Sequence, residues 1–334
     1  MKLSILDQSP ISSGKTPQEA LNATIELAKR ADELGYTRYW VAEHHDLSGL
    51  ASPAPDIMLG LIGSQTKRIR IGAGAVLLPH YKPYNVAERY NMLATLYPGR
   101  VDLGVGRAPG GSAEVTMALS DNFLEQVRKM PESLTELLTF LDHDLDFPSD
   151  HMYSKITPAP VPQHPPEVWQ LGTSEKSAIS AAEKGIPYAF GHFMTDKDGP
   201  GIVKKYRENS TAKHEGKAII SVSVICAETT EEAEELALSN LLWKVQQEVG
   251  GGKDGVPTVE EAKAYDFSNK EKETIQDLRN NTIIGNPAEV KKQLEELEDL
   301  YGTDEFMIVT ITHSYEARRK SYELIAEEFG FTKL

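Results

Sequence analysis

The sequence has a single cysteine, Cys226, so no disulfide can form within the chain. That scarcity excludes the small secreted domains whose folds depend on several disulfide bridges. No apolar run reaches the length of a membrane span, and the apolar run after Met1 is too short for a signal peptide. We therefore expect a cytoplasmic protein that does not bind a membrane.

Positive charge is scarce relative to negative charge. The 334 residues include 35 Lys and Arg against 50 Asp and Glu, which gives a net charge of −15. A surface of that sign repels phosphate backbones, which argues against nucleic acid as a partner and favours solubility. Hydrophobic residues make up 40% of the chain, enough to bury a large core.

Strand-like and helix-like segments alternate along the chain, with no low-complexity linker between them. The predicted strands are Leu3–Asp7, a segment around Trp40, Ile69–Leu78, Val101–Val105, Val168–Leu171, Pro187–Phe190, Ala218–Ala227 and Phe306–Ile311. The predicted helices include Thr16–Leu34, Asp56–Thr66, Tyr84–Leu96, Phe123–Leu141, Ser174–Lys184, Ile202–Asn209 and Glu231–Glu248. Because parallel strands need crossover helices, eight such pairs predict a single α/β domain, a (β/α)8 TIM barrel over residues 1–334. An open doubly wound sheet is the alternative, but no Gly-x-Gly-x-x-Gly follows the first strand.

The second predicted strand ends in a carboxylate and two histidines, Glu43, His44 and His45. Trp40 and Ala42 alternate with Tyr39 and Val41, which places the two pairs on opposite faces of the strand. Catalytic residues of such barrels lie at the C-terminal ends of strands, and imidazole exchanges protons near neutral pH. The pattern indicates proton transfer. Two other readings stay open, a pair of zinc ligands and a histidine that caps backbone carbonyls.

The third predicted strand contains two glycines, Gly72 and Gly74. Glycine weakens a strand, so its presence indicates close approach of a flat ligand or unusual backbone geometry. Tight packing of a neighbouring helix is the alternative.

Arg107 follows the fourth strand among glycines, and Gly172, Thr173 and Ser174 follow the fifth at the start of a helix. A guanidinium and the free amides of a helix N-terminus both bind anions, so these positions predict a phosphate-bearing cofactor. Arg107 can instead be a surface residue, and Thr173 or Ser174 a simple helix cap.

Four motifs together resemble those of the bacterial luciferase-like flavin monooxygenases. They are Trp40-Val-Ala-Glu-His-His45, Gly72-Ala-Gly-Ala-Val-Leu-Leu-Pro79, Pro98-Gly-Arg-Val-Asp-Leu-Gly-Val-Gly-Arg107 and Gly172-Thr-Ser174. The resemblance runs nearly end to end and implies a (β/α)8 barrel that holds reduced FMN at the C-terminal ends of its strands.

The resemblance also implies roles for individual residues. His44 would transfer protons beside the flavin, supported by Glu43 and His45. A cis peptide bond that does not involve proline would fall at Gly74–Ala75, beneath the flavin ring. The residues that would hold the FMN phosphate are Arg107, Gly172, Thr173, Ser174 and Ser177. No metal is implied.

The reaction that the resemblance implies is a two-component oxygenation. A separate NAD(P)H flavin reductase supplies reduced FMN, and the enzyme uses O₂ to oxygenate a small organic substrate. Such chemistry must be kept away from water, so we expect a mobile lid. The Gly-rich, polar insertion at about residues 249–283 is a candidate, and a surface insertion without a catalytic part is the alternative.

Other functions of the same fold remain open at this point. Gly106 stands where light-emitting relatives carry a reactive cysteine, which argues against light emission. A deazaflavin-dependent hydride transfer, a non-catalytic flavin-binding protein and, last, a metal-dependent hydrolase built on His44 and His45 are the alternatives. Trp169, Tyr188 and two other aromatics, Phe190 and Phe193, either shape a substrate pocket or fill the barrel.

Relatives commonly form homodimers through barrel helices, so the resemblance also implies a homodimer. The helix Tyr84–Leu96 carries Met92, Leu93 and Leu96, which serve either the core or such a contact.

Overall fold

The first helix begins and ends where the sequence supplies caps. In the computed structural model, which describes residues 1–142, 145–210, 216–248, 250–252 and 254–331, helix α1 spans Pro17–Leu34. Thr16 and Glu19 form a capping box at its start, and Gly35 ends it with a φ of 90°. The other helices are α2 Pro55–Gln65, α3 Pro83–Leu96, α4 Ala113–Leu119, α5 Phe123–Arg128, α6 Met130–Leu141, α7 Glu175–Glu183, α8 Gly199–Asn209, α9 Thr230–Glu248, α10 Val259–Ala264, α11 Asn269–Asn280, α12 Pro287–Tyr301 and α13 Tyr315–Glu328.

The predicted helix Phe123–Leu141 is two helices. Lys129 lies between α5 and α6, and Pro131 occupies the first turn of α6. Proline has no amide hydrogen to donate and suits the first turn of a helix, so it favours a new start over continuation.

The strands are β1 Lys2–Asp7, β2 Arg38–Val41, β3 Arg70–Leu77, β4 Val101–Gly106, β5 Glu167–Gly172, β6 Tyr188–Gly191, β7 Ala218–Cys226, β8 Thr282–Gly285 and β9 Glu305–Val309. All pair in parallel. Consecutive strands pair from β1 to β7, β7 also pairs with β9, and β9 returns to β1. The result is a closed eight-stranded (β/α)8 barrel, which confirms the predicted fold and rules out the open sheet.

Strand β8 was not predicted. The first half of β7 pairs with β9 through Ile220–Ser223, and its second half pairs with β8 through Ser223–Cys226. Strand β8 therefore extends the sheet beside the rim and is not one of the eight barrel strands.

The core has an inner and an outer layer. Trp40 and Ala42 pack inside the barrel with Trp169, whereas Tyr39 and Val41 pack outward against the helices. This confirms the predicted alternation of β2. Gly72 is explained by the inner layer, because a Cβ there would lie 2.7 Å from Nε1 of Trp40. The missing side chain of Gly72 makes room for the Trp40 indole, so neither a flat ligand nor a neighbouring helix is needed to explain this glycine.

A buried charge cluster closes the N-terminal end of the barrel. The guanidinium of Arg38 donates to Asp102 and to Glu305, each at 2.7 Å, and contacts Glu167 at 3.2 Å. Three strands other than β2 are thereby tied to one side chain. The open end of the barrel is the opposite one.

The predicted insertion at 249–283 contains α10, α11 and part of β8, while Val249 and Lys253 lie outside the described residues. Val256 is fully buried, and its amide donates to the Ile11 carbonyl at 2.8 Å. The role of the insertion as a mobile lid stays a prediction. Among the helices in the described part of the chain, none combines the length and the apolar composition needed to cross a membrane.

Candidate functional site

A cavity of about 470 Å³ opens at the C-terminal ends of the barrel strands. Nearly all of the predicted site residues line it, and these are Glu43, His44, Gly74, Ala75, Arg107, Gly172, Thr173, Ser174 and Ser177. His45 is the exception. The structure thus brings together residues that belong to or follow four different strands, β2 to β5, because parallel strands end at one rim.

Glu43 is buried in the cavity wall with its hydrogen bonds satisfied. One carboxylate oxygen accepts from Nε2 of His45 and from the hydroxyl of Tyr81, each at 2.8 Å. The other accepts from the Leu77 amide at 3.2 Å. Glu43 and His45 therefore pair with each other beside His44, and their supporting role toward His44 stays a prediction.

His44 lies at the cavity with its ring partly buried. Its backbone amide donates to the Ser52 carbonyl at 3.0 Å, which fixes the position of the residue. Nδ1 of the ring is buried and has no hydrogen-bond partner among the described residues. Burial, and then the neighbouring charge of His45, lowers the pKa of His44 to about 4. The ring is therefore neutral at pH 7, and it can accept a proton or donate a hydrogen bond.

One wall of the cavity is formed by the backbone of β3 and β4. The Gly74–Ala75 peptide bond is cis, as the resemblance predicted. Gly106 on β4 adjoins it, since a Cβ at Gly106 would lie 3.2 Å from the Cβ of Ala75. The result is a flat, side-chain-poor surface. It suits close approach of a planar ring.

Another part of the cavity wall carries groups that can bind an anion. Ser174 is the N-cap of α7, and its hydroxyl accepts from the Ser177 amide at 3.3 Å. Gly172 lies against this turn, where a Cβ would come within 2.3 Å of the Ser177 hydroxyl. The cap interpretation of Ser174 is thus confirmed, and it places the N-terminal end of α7, with Ser174 and Ser177, at the cavity.

Arg107 is exposed in the same part of the cavity wall. It forms no ion pair with any residue that the structure describes, and its charge lowers the pKa of Tyr188 against the larger effect of burial. The Tyr188 hydroxyl lies 3.0 Å from that of Ser177. Arg107 is therefore near the first turn of α7, where one phosphate could bind both the guanidinium and the helix N-terminus.

Several lining residues were missed by sequence reasoning. Helix α5 contributes Phe123, Leu124 and Val127, and the loop after β6 contributes Met194 and Lys197. Pro131 could have revealed α5 as a separate helix at the rim. A lysine in a loop after a barrel strand gives no comparable signal.

The aromatic residues fall into three groups. Trp169 fills the barrel interior, and Tyr188 and Phe190 pack outward against the helices. Phe193 lines the cavity. Another aromatic, Phe123, stacks on His80 with ring centres 4.9 Å apart.

The family model for luciferase-like monooxygenases matches residues 1–304. The chain belongs to this family. The resemblance noted in the sequence is thereby confirmed over most of the chain.

Two relatives from Bacillus subtilis (strain 168) match this chain over almost the whole length of both proteins. This chain is 45% identical to the uncharacterized protein YceB, over 98% of this chain and 99% of YceB. It is 37% identical to N-acetyl-S-alkylcysteine monooxygenase, over 98% of each chain. The crystal structure of apo-MsnO8 is 35% identical, with a TM-score of 0.90 over 99% of both chains.

More distant structures share the fold of this luciferase-like monooxygenase. The oxygenating constituent of 3,6-diketocamphane monooxygenase from Pseudomonas putida, solved with FMN, has a TM-score of 0.70 at 20% identity, over 98% and 97% of the chains. An F420-dependent secondary alcohol dehydrogenase, solved with an F420-acetone adduct, has 0.61 at 17% identity, over 97% and 98%. At these identities the likeness concerns the fold alone.

Proposed function

We propose that this protein is an FMN-dependent monooxygenase of a two-component system, which uses reduced FMN and O₂ to oxygenate a small organic substrate. The observation that carries the proposal is the arrangement of one cavity. A neutral imidazole and a flat backbone wall lie at one part of it, and a guanidinium and a capped helix N-terminus lie at another.

The residues present fit FMN on three counts. At Ala75 and Gly106, where a ring would approach, the two residues carry no side chain larger than a methyl group. Nδ1 of His44 is a buried polar atom without a partner among the described residues. Arg107 and the first turn of α7 form a donor set for a phosphate. Arg107, Gly172, Thr173, Ser174 and Ser177 would hold the phosphate, and Gly74 and Ala75 would contact the ring.

When bound, reduced FMN supplies the electrons that activate O₂. The chain's own part is to bind, to orient and to manage protons. His44 is neutral at working pH, so a ring nitrogen can accept either a proton or a hydrogen bond from a substrate group. Glu43 and His45 keep the strand end rigid behind it. Phe123, with other apolar residues of α5, excludes water from the rim.

The proposed reaction requires reduced FMN from a separate NAD(P)H flavin reductase, which fits a cytoplasmic location. The substrate is a small organic molecule. Because the relative at 37% identity acts on N-acetyl-S-alkylcysteines, thioethers of that type are the first substrates to test.

The test begins with binding. We expect oxidised and reduced FMN to bind in equilibrium titrations, and F420, the cofactor in a protein of the same fold, to bind at least tenfold more weakly. With an NADH-driven flavin reductase and ¹⁸O₂, one ¹⁸O atom should enter the product of an accepted substrate. Tighter binding of F420 together with substrate-dependent hydride transfer would replace the proposal by the deazaflavin alternative. FMN binding without any turnover would favour a flavin-binding protein.

We also propose that the chain forms a homodimer through α2 and α3. These neighbouring helices expose Ile57 and Leu61, and Met92 and Leu96, whereas Leu93 is buried in the core. Exposed apolar side chains on adjacent helices are typical of a subunit interface. Replacing Met92 and Leu96 by Asp should give a monomer in light scattering, and Leu300→Asp on α12, also an exposed leucine, should not.

A further inference from the structure

The ionic groups of the cavity wall have the opposite sign to the charge of the chain. The chain carries a net charge of −15, but the wall has two cations, Arg107 and Lys197, and one carboxylate, Glu43. Glu43 already accepts three hydrogen bonds. His44 is neutral because burial lowers its pKa to about 4. The charges left to meet a ligand are therefore positive.

The two cations stand at different places on the rim. Arg107 follows β4 and lies near the α7 turn, where it completes the proposed phosphate site. Lys197 lies in the loop between β6 and α8. Its ammonium group forms no ion pair with any residue in the described ranges. Of the carboxylates beside it in sequence, Asp198 caps α8 by accepting from the Gly201 amide at 2.9 Å, and Asp196 does not line the cavity.

Lys197 is accompanied by apolar surface. Met194, in the same loop, is 67% exposed, and Leu124 on α5 is 70% exposed, yet both line the cavity. Helix α5 buries none of its residues fully. When an apolar ligand covers large apolar side chains at the rim of a cavity, the removal of their surface from water stabilises the complex.

We propose that the substrate is a small anion with an apolar body, whose carboxylate binds Lys197 and whose apolar part packs against α5 and Met194. The proposal rests on the proposed function for the position of the flavin, which leaves Arg107 to the phosphate. It defines the class of substrate by one charge and one apolar arm.

A matched pair of probes tests the charge. N-acetyl-S-benzylcysteine has one carboxylate and an apolar thioether arm, and its carboxamide differs only in lacking the charge. Both are titrated into the FMN-loaded protein, with the flavin absorption spectrum as the readout. We expect the acid to bind at least tenfold more tightly than the amide. If the two bind equally, or if neither binds, the proposal is overturned.

Substitutions assign that preference to Lys197. Lys197→Ala should weaken binding of the acid at least fivefold and leave the amide within twofold, and Lys197→Arg should restore most of the preference. Lys204→Ala removes another lysine, which lies on α8 and does not line the cavity, and should change neither affinity. A tenfold preference for the acid that survives Lys197→Ala would contradict the proposal.

The phosphate of FMN is the competing partner for Lys197. In Lys197→Ala the affinities for FMN and for riboflavin should both stay within twofold of those of the unaltered protein. A loss of FMN affinity as large as that of Arg107→Ala, with riboflavin unaffected, would assign Lys197 to the phosphate and overturn the proposal. If the protein binds no FMN, the proposed function fails. Calorimetry of the flavin-free protein with the same two probes still measures the preference.

Helix α5 supplies the test of the apolar part. Leu124→Ala should weaken both probes alike, by three- to tenfold, because the truncated side chain contacts the arm that they share. Met117→Ala is the control, since Met117 on α4 is equally exposed but does not line the cavity. Equal effects of the two substitutions would show that the apolar arm binds elsewhere.

Discussion

The Glu43 carboxylate holds His45, whose Nε2 lies 2.8 Å from Oε1, and leaves His44 free to face the cavity. Two adjacent histidines at one strand end therefore have different surroundings. The His45 ring is held by Glu43 and does not line the cavity, whereas the His44 ring is available to a ligand. This separation explains why neighbouring residues of the same type are expected to respond differently to substitution.

Glu43→Ala should destabilise the fold. The substitution leaves the His45 ring, the Tyr81 hydroxyl and the Leu77 amide without their acceptor in a buried place. Unsatisfied buried donors cost free energy, so we expect the free energy of unfolding in urea to fall by roughly 2 to 4 kcal/mol. Glu43→Gln keeps one acceptor oxygen and should lose less.

The control for that substitution is Glu26→Ala on α1. Glu26 is exposed and pairs with Lys29 at 2.8 Å, and such surface pairs contribute about 0 to 1 kcal/mol. If the two alanine variants unfold at the same urea concentration, the Glu43 network does not stabilise the protein.

His44→Ala should lower turnover while leaving the cofactor bound. A positioned acid-base group is worth roughly 10² to 10⁴ in rate, and the ring is not part of the proposed phosphate site. The measurement is kcat in the coupled reductase assay together with the FMN dissociation constant. Loss of FMN binding in this variant would mean that His44 serves to hold the flavin and has a different role from the one proposed.

His44 should also make stability depend on pH. Its pKa is about 4 in the folded protein and about 6.5 when unfolded, so below pH 6.5 the unfolded chain takes up a proton that the folded chain resists. Stability contributed by His44 is therefore complete above pH 6.5 and declines as the pH falls toward 4, by up to about 3 kcal/mol. The observable is the difference in unfolding free energy between the unaltered protein and His44→Gln. A difference that is constant from pH 7.5 to 4 would contradict the lowered pKa.

Much of this arrangement could be predicted from the sequence, since it follows from local rules. The alternation of Trp40 and Ala42 with their neighbours gave the two faces of β2. Strand order placed Glu43, Arg107 and Ser174 on one rim, because parallel strands of a barrel end together.

What escaped prediction depends on contacts between distant residues. The partner of Glu43 could not be read from the order of the residues that follow it. Gly72 suggested a ligand, but the group that needs its space is the Trp40 indole. Strand β8 is only four residues long and begins at the end of a polar insertion, and its pairing with β7 has no local signature. Lys197 lines the cavity from a loop, and the positions of side chains in a loop do not follow from periodicity.

Arg107→Ala should weaken FMN binding by about 1.5 to 3 kcal/mol, the scale of a hydrogen bond to a charged group. Arg107 forms no ion pair with the described residues, so its removal should leave stability nearly unchanged. The measurement is the FMN dissociation constant, with riboflavin as the control because it lacks the phosphate. Equal losses for both flavins, or none for FMN, would remove Arg107 from the phosphate site.

Arg318→Met should be strongly destabilising. Nη2 of Arg318, on the last helix, donates to Asp7 on the first strand at 2.7 Å, and both side chains are buried. Removing one partner leaves the other charge buried without compensation, which typically costs about 3 to 5 kcal/mol. Arg319→Met is the matched control, because Arg319 is half exposed and lies 3.9 Å from Glu323. We expect its effect on the free energy of unfolding to stay below about 1 kcal/mol.

A double substitution separates the cost of the lone charge from the contribution of the pair. Replacing Asp7 by Asn in the Arg318→Met background removes the uncompensated carboxylate. The amide oxygen of Asn can still accept from the Ser9 amide, and the Tyr39 hydroxyl, which loses its carboxylate acceptor, keeps the Thr24 carbonyl. The double variant should therefore be more stable than Arg318→Met alone in urea unfolding. The single variant Asp7→Asn completes the comparison. If the loss of unfolding free energy in the double variant equals the sum of the losses in the two single variants, Asp7 and Arg318 are not coupled.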